Sequence, residues 1–184
     1  MILHRCFAWD ERAGETGLDG PRWFPRAFQG DGRHDNPEVY GCLYLADREV
    51  SAVVEQLARF RGQGLVPELL TRRGLPLALA TLELPDRAQL IDLDDPAVLS
   101  VHDLRPSVIA TRRREVTQPQ ALQLYRRHRF AAGVRWWSVF EALWTNFTIF
   151  ERAAGRLTLV GLRALHVDDP VTAEAADLLG LRAA

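Results

Sequence analysis

Two strand-like runs near the start of the chain, Ile2–Ala8 and Val39–Ala46, are separated by a long segment, Asp10 to Pro37, dominated by Gly, Pro, Asp and Arg. Its main apolar anchors are Trp23 and Phe24. Connections in compact domains rarely exceed about 12–15 residues without structure of their own, and longer ones are often functional. This one ends at Arg33, which favours a functional reading. It also breaks the regular strand–helix alternation that a doubly wound sheet needs.

The rest of the chain continues that irregularity. Asp47 is placed to cap a helix running to about Arg61, with Val50, Val53, Val54 and Leu57 as its apolar stripe. Gly62 and Gly64 end it. Glu68–Arg73 adds a helical turn, Leu77–Leu84 and Leu90–Leu93 read as strands, and Asp94-Asp95-Pro96 opens a short helix. Thr117-Gln118-Pro119-Gln120 reads as a capping box starting a helix to about Phe130. Val134–Trp137 is a brief strand, followed by a helical turn from Ser138. Thr145–Phe150 and Leu157–Leu165 form a hairpin candidate, and the tail from Asp169 to Leu181 is helical. The expected architecture is α+β, with mixed or antiparallel sheets flanked by helices, in a single domain over residues 1–184.

Composition removes several classes of function. At 184 residues, folding buries roughly 70% of the chain's surface, so no disulfide or metal staple is needed. Cys6 and Cys42 are too few for a disulfide framework and lack metal-site spacing. No apolar run reaches a membrane span, and no signal segment opens the chain, so a cytoplasmic location with no membrane association is expected. All 23 basic residues are Arg, which leaves no lysine for Schiff-base or general-base chemistry. A net charge of -1 argues against nucleic acid as a partner.

The stretch Gly30–Glu55 concentrates useful chemistry. It presents Arg33 on a Gly-rich turn, Tyr44 near the end of a strand and Glu55 within a helix. These groups suit a substrate with phosphates, a flat ring and a sugar. A guanidinium fork makes bidentate, charge-assisted hydrogen bonds to pyrophosphate, and Arg5 in the first strand is a second phosphate candidate. Each residue taken alone has a simpler explanation. Arg33 reads as a surface turn residue, Tyr44 as core, and Glu55 as a solvated partner of Arg59 four residues on. Ser138 with Glu141 reads as a helix-start capping box.

Taken together these residues resemble a known family. Trp23-Phe24-Pro25, Gly32-Arg33-His34-Asp35-Asn36-Pro37, Leu43-Tyr44-Leu45-Ala46, Glu55 and Gly133-Val134-Arg135-Trp136-Trp137-Ser138 follow the order and spacing of the RES-domain family, named for its Arg, Glu and Ser. The resemblance implies an ADP-ribosyltransferase-like fold and an enzyme acting on NAD as substrate, without a metal. It implies the toxin of a toxin–antitoxin pair that cleaves the nicotinamide–ribose bond by hydrolysis or phosphorolysis. The alternatives are transfer of ADP-ribose to a protein, or nucleotide binding without turnover. Glu55, Arg33 and Ser138 would be catalytic, with Arg5, Arg33, Tyr44 and Ser138 binding NAD. Tyr44 would stack on the nicotinamide and orient the ribose through its hydroxyl. His34 departs from the family pattern, in which an aromatic or aliphatic residue usually follows the Arg. The expected partner is an antitoxin with a helix-turn-helix domain, and exposed Trp or Phe around the cleft would favour a homodimer.

Two further clusters read as less specific. Asp92, Asp94, Asp95, His102 and Asp103 lack the spacing of a calcium loop. Arg112-Arg113-Arg114 and Arg126-Arg127-Arg129 read as solvated faces, or as surfaces for an acidic partner protein.

Overall fold

The computed structural model describes residues 1–183. In chain order its elements are β1 (Ile2–Ala8), β2 (Cys42–Ala46), α1 (Glu49–Leu57), β3 (Gly64–Leu65), β4 (Thr71–Arg72), β5 (Leu75–Glu83), β6 (Leu90–Asp92), α2 (Pro96–Val101), α3 (Pro106–Ala110), α4 (Arg114–Arg127), β7 (Gly133–Trp137), β8 (Thr145–Phe150), β9 (Thr158–Ala164), α5 (Pro170–Leu179) and β10 (Arg182–Ala183). The class is mixed α+β. Chain contacts divide it into two compact units, both assembled from separated segments.

The first unit comprises Met1–Trp23, Leu45–Glu83 and Thr158–Ala184. Its centre is β1, buried over its last four residues. Strand β5 pairs antiparallel along all of β1, from Ile2↔Glu83 to Ala8↔Leu77, and β9 pairs antiparallel with β5 through a bulge at Thr81/Leu82. The end of β2 joins the other side of β1 at His4↔Ala46. Helix α1 buries Val50, Val53, Val54 and Leu57, the stripe its sequence spacing predicts, and packs on β1 and α5. Gly180, in the left-handed conformation at φ 64°, ends α5.

The second unit comprises Phe24–Tyr44 and Leu84–Leu157. Here β7 pairs parallel with β6 and antiparallel with β8, and the strand beside β8 is β2. Its core joins Cys42, Ile91, Val134, Trp136 and Phe150 from the strands to Leu99, Ile109 and Leu124 from the helices. Tyr40 stacks on Tyr125 at 4.2 Å between ring centroids, and Phe150 meets Tyr40 edge-on at 5.0 Å. Arg152 closes this cluster, lying 3.5 Å over the Tyr125 ring and donating to the carbonyls of Tyr125, His128 and Arg129.

Several local expectations are revised. Arg48, not Asp47, holds the cap position of α1, and the helix gives way to a 3-10 turn at Ala58–Phe60. Strand β2 begins only at Cys42, because Tyr40 instead bridges back to Asn36. Helix α4 starts at Arg114 and carries Pro119 inside it; the proline removes one interior hydrogen bond without stopping the helix. Helix α3 lies just before the Arg112–Arg114 run, in a stretch for which the sequence suggested no element. No helix forms at Ser138; residues 138–144 are the loop of the β7–β8 hairpin, closed by Ser138 N donating to Trp144 O at 2.8 Å. Strands β8 and β9 do not pair with each other. The connection Glu151–Arg156 is a 3-10 helix rather than a reversing turn, and β9 joins β5.

The β7–β8 pairing leaves no room for a side chain at Gly133, where a Cβ would overlap the Thr148 carbonyl oxygen and lie 3.0 Å from Ile149 Cα. Both obstacles are backbone, so they cannot rotate away. Gly133→Ala should therefore destabilise the protein by about 2 kcal/mol or more, seen as a thermal midpoint at least ~4 °C lower. A midpoint unchanged within a degree would show that the two strands separate without cost.

Candidate functional site

The turn at residues 30–35 is organised by one buried carboxylate. Asp35, 4% exposed, accepts from Gly30 N at 2.8 Å and Gly32 N at 2.7 Å through Oδ2. Its Oδ1 accepts from the Tyr44 hydroxyl at 2.7 Å and from the Cys42 thiol at 3.4 Å. Gly32 must be glycine, because a Cβ there would overlap both the Asp35 carboxylate and the Tyr44 hydroxyl. Helix α4 secures the other side of the turn. Gln118 Nε2 donates to Gly30 O at 2.7 Å and Gly32 O at 2.9 Å, and Arg114 Nε donates to Asp31 O at 2.6 Å.

This fixed turn directs Arg33 into the protein. Arg33 is buried, donates through Nη1 to Ile109 O at the end of α3, and places its guanidinium carbon 4.5 Å over the Trp136 ring. The aromatic face and the carbonyl together offset part of the cost of removing the cation from water. A guanidinium has five N–H donors, so this arrangement orients the group as a planar fork.

His34 continues the lock. Its backbone N donates to the Tyr44 hydroxyl at 2.9 Å, and its carbonyl accepts from the Tyr40 hydroxyl at 2.7 Å. Its ring Nδ1 shares a hydrogen bond with Thr148 Oγ1 at 2.7 Å, and the ring meets Trp136 edge-on at 5.5 Å. The Trp136 indole N–H also donates to Thr148 Oγ1, at 3.3 Å. Burial, and then the cations of Arg33 and Arg114, pull the His34 pKa down to about 3, so the ring is neutral at physiological pH.

The Tyr44 hydroxyl is committed at both ends, donating to Asp35 and accepting from His34 N. Burial, with the neighbouring Cys42 and Asp35, pushes its phenol well above the ordinary range. The ring remains partly exposed. The hydroxyl thus braces the turn, and the ring is the part a ligand could touch. Ser138 follows β7 in the alternation that also buries Val134 and Trp136. It is 3% exposed, and its Oγ accepts from Phe140 N at 3.1 Å within the hairpin loop.

Arg33, Tyr44 and Ser138 thus lie in the second unit, the first two joined through the Asp35 turn and Trp136 linking Arg33 to the Ser138 face. Glu55 and Arg5 lie in the first unit. Glu55 is on the exposed side of α1, opposite the buried valines. Arg5 is buried and donates to Gly20 O at 3.1 Å and Pro21 O at 2.7 Å, with its guanidinium 4.5 Å over Phe7. Burial lowers its pKa to about 9. Those contacts make Arg5 an anchor for the long irregular segment. Sequence reasoning assigned no part to Asp35, Thr148 or Gln118. An Asp three residues after a Gly in a tight turn is the one local signal that marks the first.

The RES domain family matches residues 2–170 of the chain. No curated protein matches it. Among solved structures, the fold resembles a chain of the M. tuberculosis MbcT-MbcA toxin-antitoxin complex, with a TM-score of 0.65 and 19% identity, covering 97% of this chain and 88% of that one.

Two consequences follow for stability. Asp35→Ala leaves two backbone N–H groups and a phenol without their acceptor, and should cost at least about 2 kcal/mol; a urea midpoint within error of wild type would show the carboxylate to be dispensable. His34 takes up a proton near pH 6.5 when unfolded but only near pH 3 when folded. Its contribution is therefore complete above pH ~6.5 and declines as pH falls, by about 2 kcal/mol between pH 7 and 5. His34→Phe should show a correspondingly shallower loss in urea titrations at the two pH values, and identical slopes would refute a neutral buried ring.

Proposed function

The chain belongs to the RES-domain family, and on that premise we propose that it is an NAD-consuming enzyme that breaks the nicotinamide–ribose bond. The observation that carries this reading is the Arg33 guanidinium, buried over Trp136 on a turn fixed by Asp35. A cation held in this way is preorganised for a pyrophosphate. As the bond breaks, its electron pair leaves with nicotinamide and positive charge builds at the anomeric carbon. The Glu55 carboxylate stabilises that charge and accepts a hydrogen bond from a ribose hydroxyl. Ser138 donates to ribose or phosphate, and the Tyr44 ring supplies an aromatic surface. With water as acceptor, its oxygen bonds the anomeric carbon and a proton is released; with phosphate, the product is a sugar phosphate.

The structural neighbour is a toxin in complex with its antitoxin. By extension, this chain acts as the toxin of such a pair, held inactive by an antitoxin that carries a helix-turn-helix domain. No helix among the described residues is long and apolar enough to cross a membrane.

Purified protein should release nicotinamide from NAD, and Glu55→Gln should slow that release at least about a hundredfold while folding normally. Undiminished turnover in the variant would remove Glu55 from the mechanism. Product analysis with and without phosphate distinguishes hydrolysis from phosphorolysis, and labelled ADP-ribose appearing on protein would identify a transferase. Tight NAD binding by calorimetry without nicotinamide release would leave a binding module.

A further inference from the structure

A cleft of about 720 Å³ opens in the second unit beside α2 and the end of α4. Its apolar lining includes Leu90, Ile91 and Val98, and Arg127 and Arg129 also line it. None of the described residues lining it is acidic. It is separate from the turn that bears Arg33. That turn is bonded to α4 at Arg114 and Gln118, whereas the cleft begins at Arg127, roughly 14 Å further along the helix.

Two large apolar side chains stand in water at this cleft, Phe130 at 79% and Val101 at 65% exposure. Phe130 is not on a loose segment. Arg152 binds the carbonyls of His128 and Arg129 on one side of it, and Ala131 N donates to His128 O at 3.1 Å on the other. The His102 and His128 rings also meet, with their Nε2 atoms 2.9 Å apart, tying the end of α4 to the end of α2. An exposed Phe held on so fixed a backbone loses little further freedom when covered.

We propose that this cleft docks an acidic, amphipathic helical segment of a partner protein. Apolar side chains on one face pack on the apolar lining and cover Phe130 and Val101, and flanking carboxylates meet Arg127 and Arg129. Val101 and Phe130 both line the cleft and both stand in water, so a helix lying along it covers the two together. The proposal does not depend on the NAD reading, since its residues are not those assigned to the nucleotide.

The test uses the full chain and a fluorescein-labelled designed helix with leucines at i, i+3, i+4 and i+7 and glutamates beside them. Fluorescence anisotropy should show saturable binding that weakens at least tenfold in Phe130→Ser and in the double variant Arg127→Glu/Arg129→Glu. Binding should also weaken with added salt. A scrambled peptide, or one with lysine in place of glutamate, should bind at least tenfold more weakly. Nicotinamide release, if present, should be unchanged in Phe130→Ser. Equal binding of designed and scrambled peptides, or of wild type and both variants, overturns the proposal. So does a concentration-dependent dimer abolished by Phe130→Ser, which would make a second copy the occupant. Co-sedimentation with phosphatidylglycerol vesicles in place of peptide binding would likewise overturn it.

Discussion

The Asp35 carboxylate is the interaction on which the rest of the site depends. It is a buried anion that accepts from two backbone N–H groups of its own turn, from the Tyr44 hydroxyl and from the Cys42 thiol. Charge-assisted hydrogen bonds of this kind are roughly twice as strong as neutral ones. They come from two parts of the chain, the turn itself and β2, so the carboxylate joins the turn to that strand. The backbone on either side of Gly32 then has a single course, and Arg33 has a single direction. Loss of Asp35 would act on Arg33 without touching it.

Around that turn, charge is managed by aromatic faces and neutral rings as well as by ion pairs. Arg33 lies over Trp136, and the adjacent His34 is kept unprotonated, which prevents a second cation from forming beside the first. Thr148 Oγ1 is hydrogen-bonded to His34 Nδ1 and accepts from the Trp136 indole N–H, and so sets the two rings relative to each other. With His34 neutral, the guanidinium is the permanent positive charge of this pair of neighbouring residues. Arg5 differs in that it donates to the carbonyls of the segment it anchors, at Gly20 and Pro21.

How legible these features were in sequence follows from the range of the interaction that decides each one. The stripe of α1 and the Asp95 cap of α2 are local, and residue spacing alone locates them, whereas the tail helix, read to Leu181, ends at Leu179 with Gly180 in the left-handed conformation. It was the resemblance to the RES-domain family that raised Arg33, Tyr44, Glu55 and Ser138 above the simpler readings each has alone. Pairing was not legible: Thr145–Phe150 and Leu157–Leu165 read as hairpin arms, but each strand finds its partner elsewhere in the chain. The Ser138 capping box failed for a similar reason. The ladder between β7 and β8 extends to Ser138 N, which leaves those residues as a hairpin loop. Tyr44 is an intermediate case, because its importance was readable but the occupation of its hydroxyl by Asp35 and His34 depends on tertiary contacts.

The lysine-free composition has a structural counterpart. Arg5, Arg33, Arg114 and Arg152 each fasten distant segments by donating to main-chain carbonyls. A carbonyl is present at every residue, whatever its side chain. These fasteners are therefore one-sided in the genetic record: the donor position is restricted to arginine by its planar fork, while the acceptor position is free to drift. Two chains could share such clamps with no correlated pair of positions to reveal them. Contact inference from covariation would overlook this kind of joint, and a scan of single substitutions would find only its arginine half.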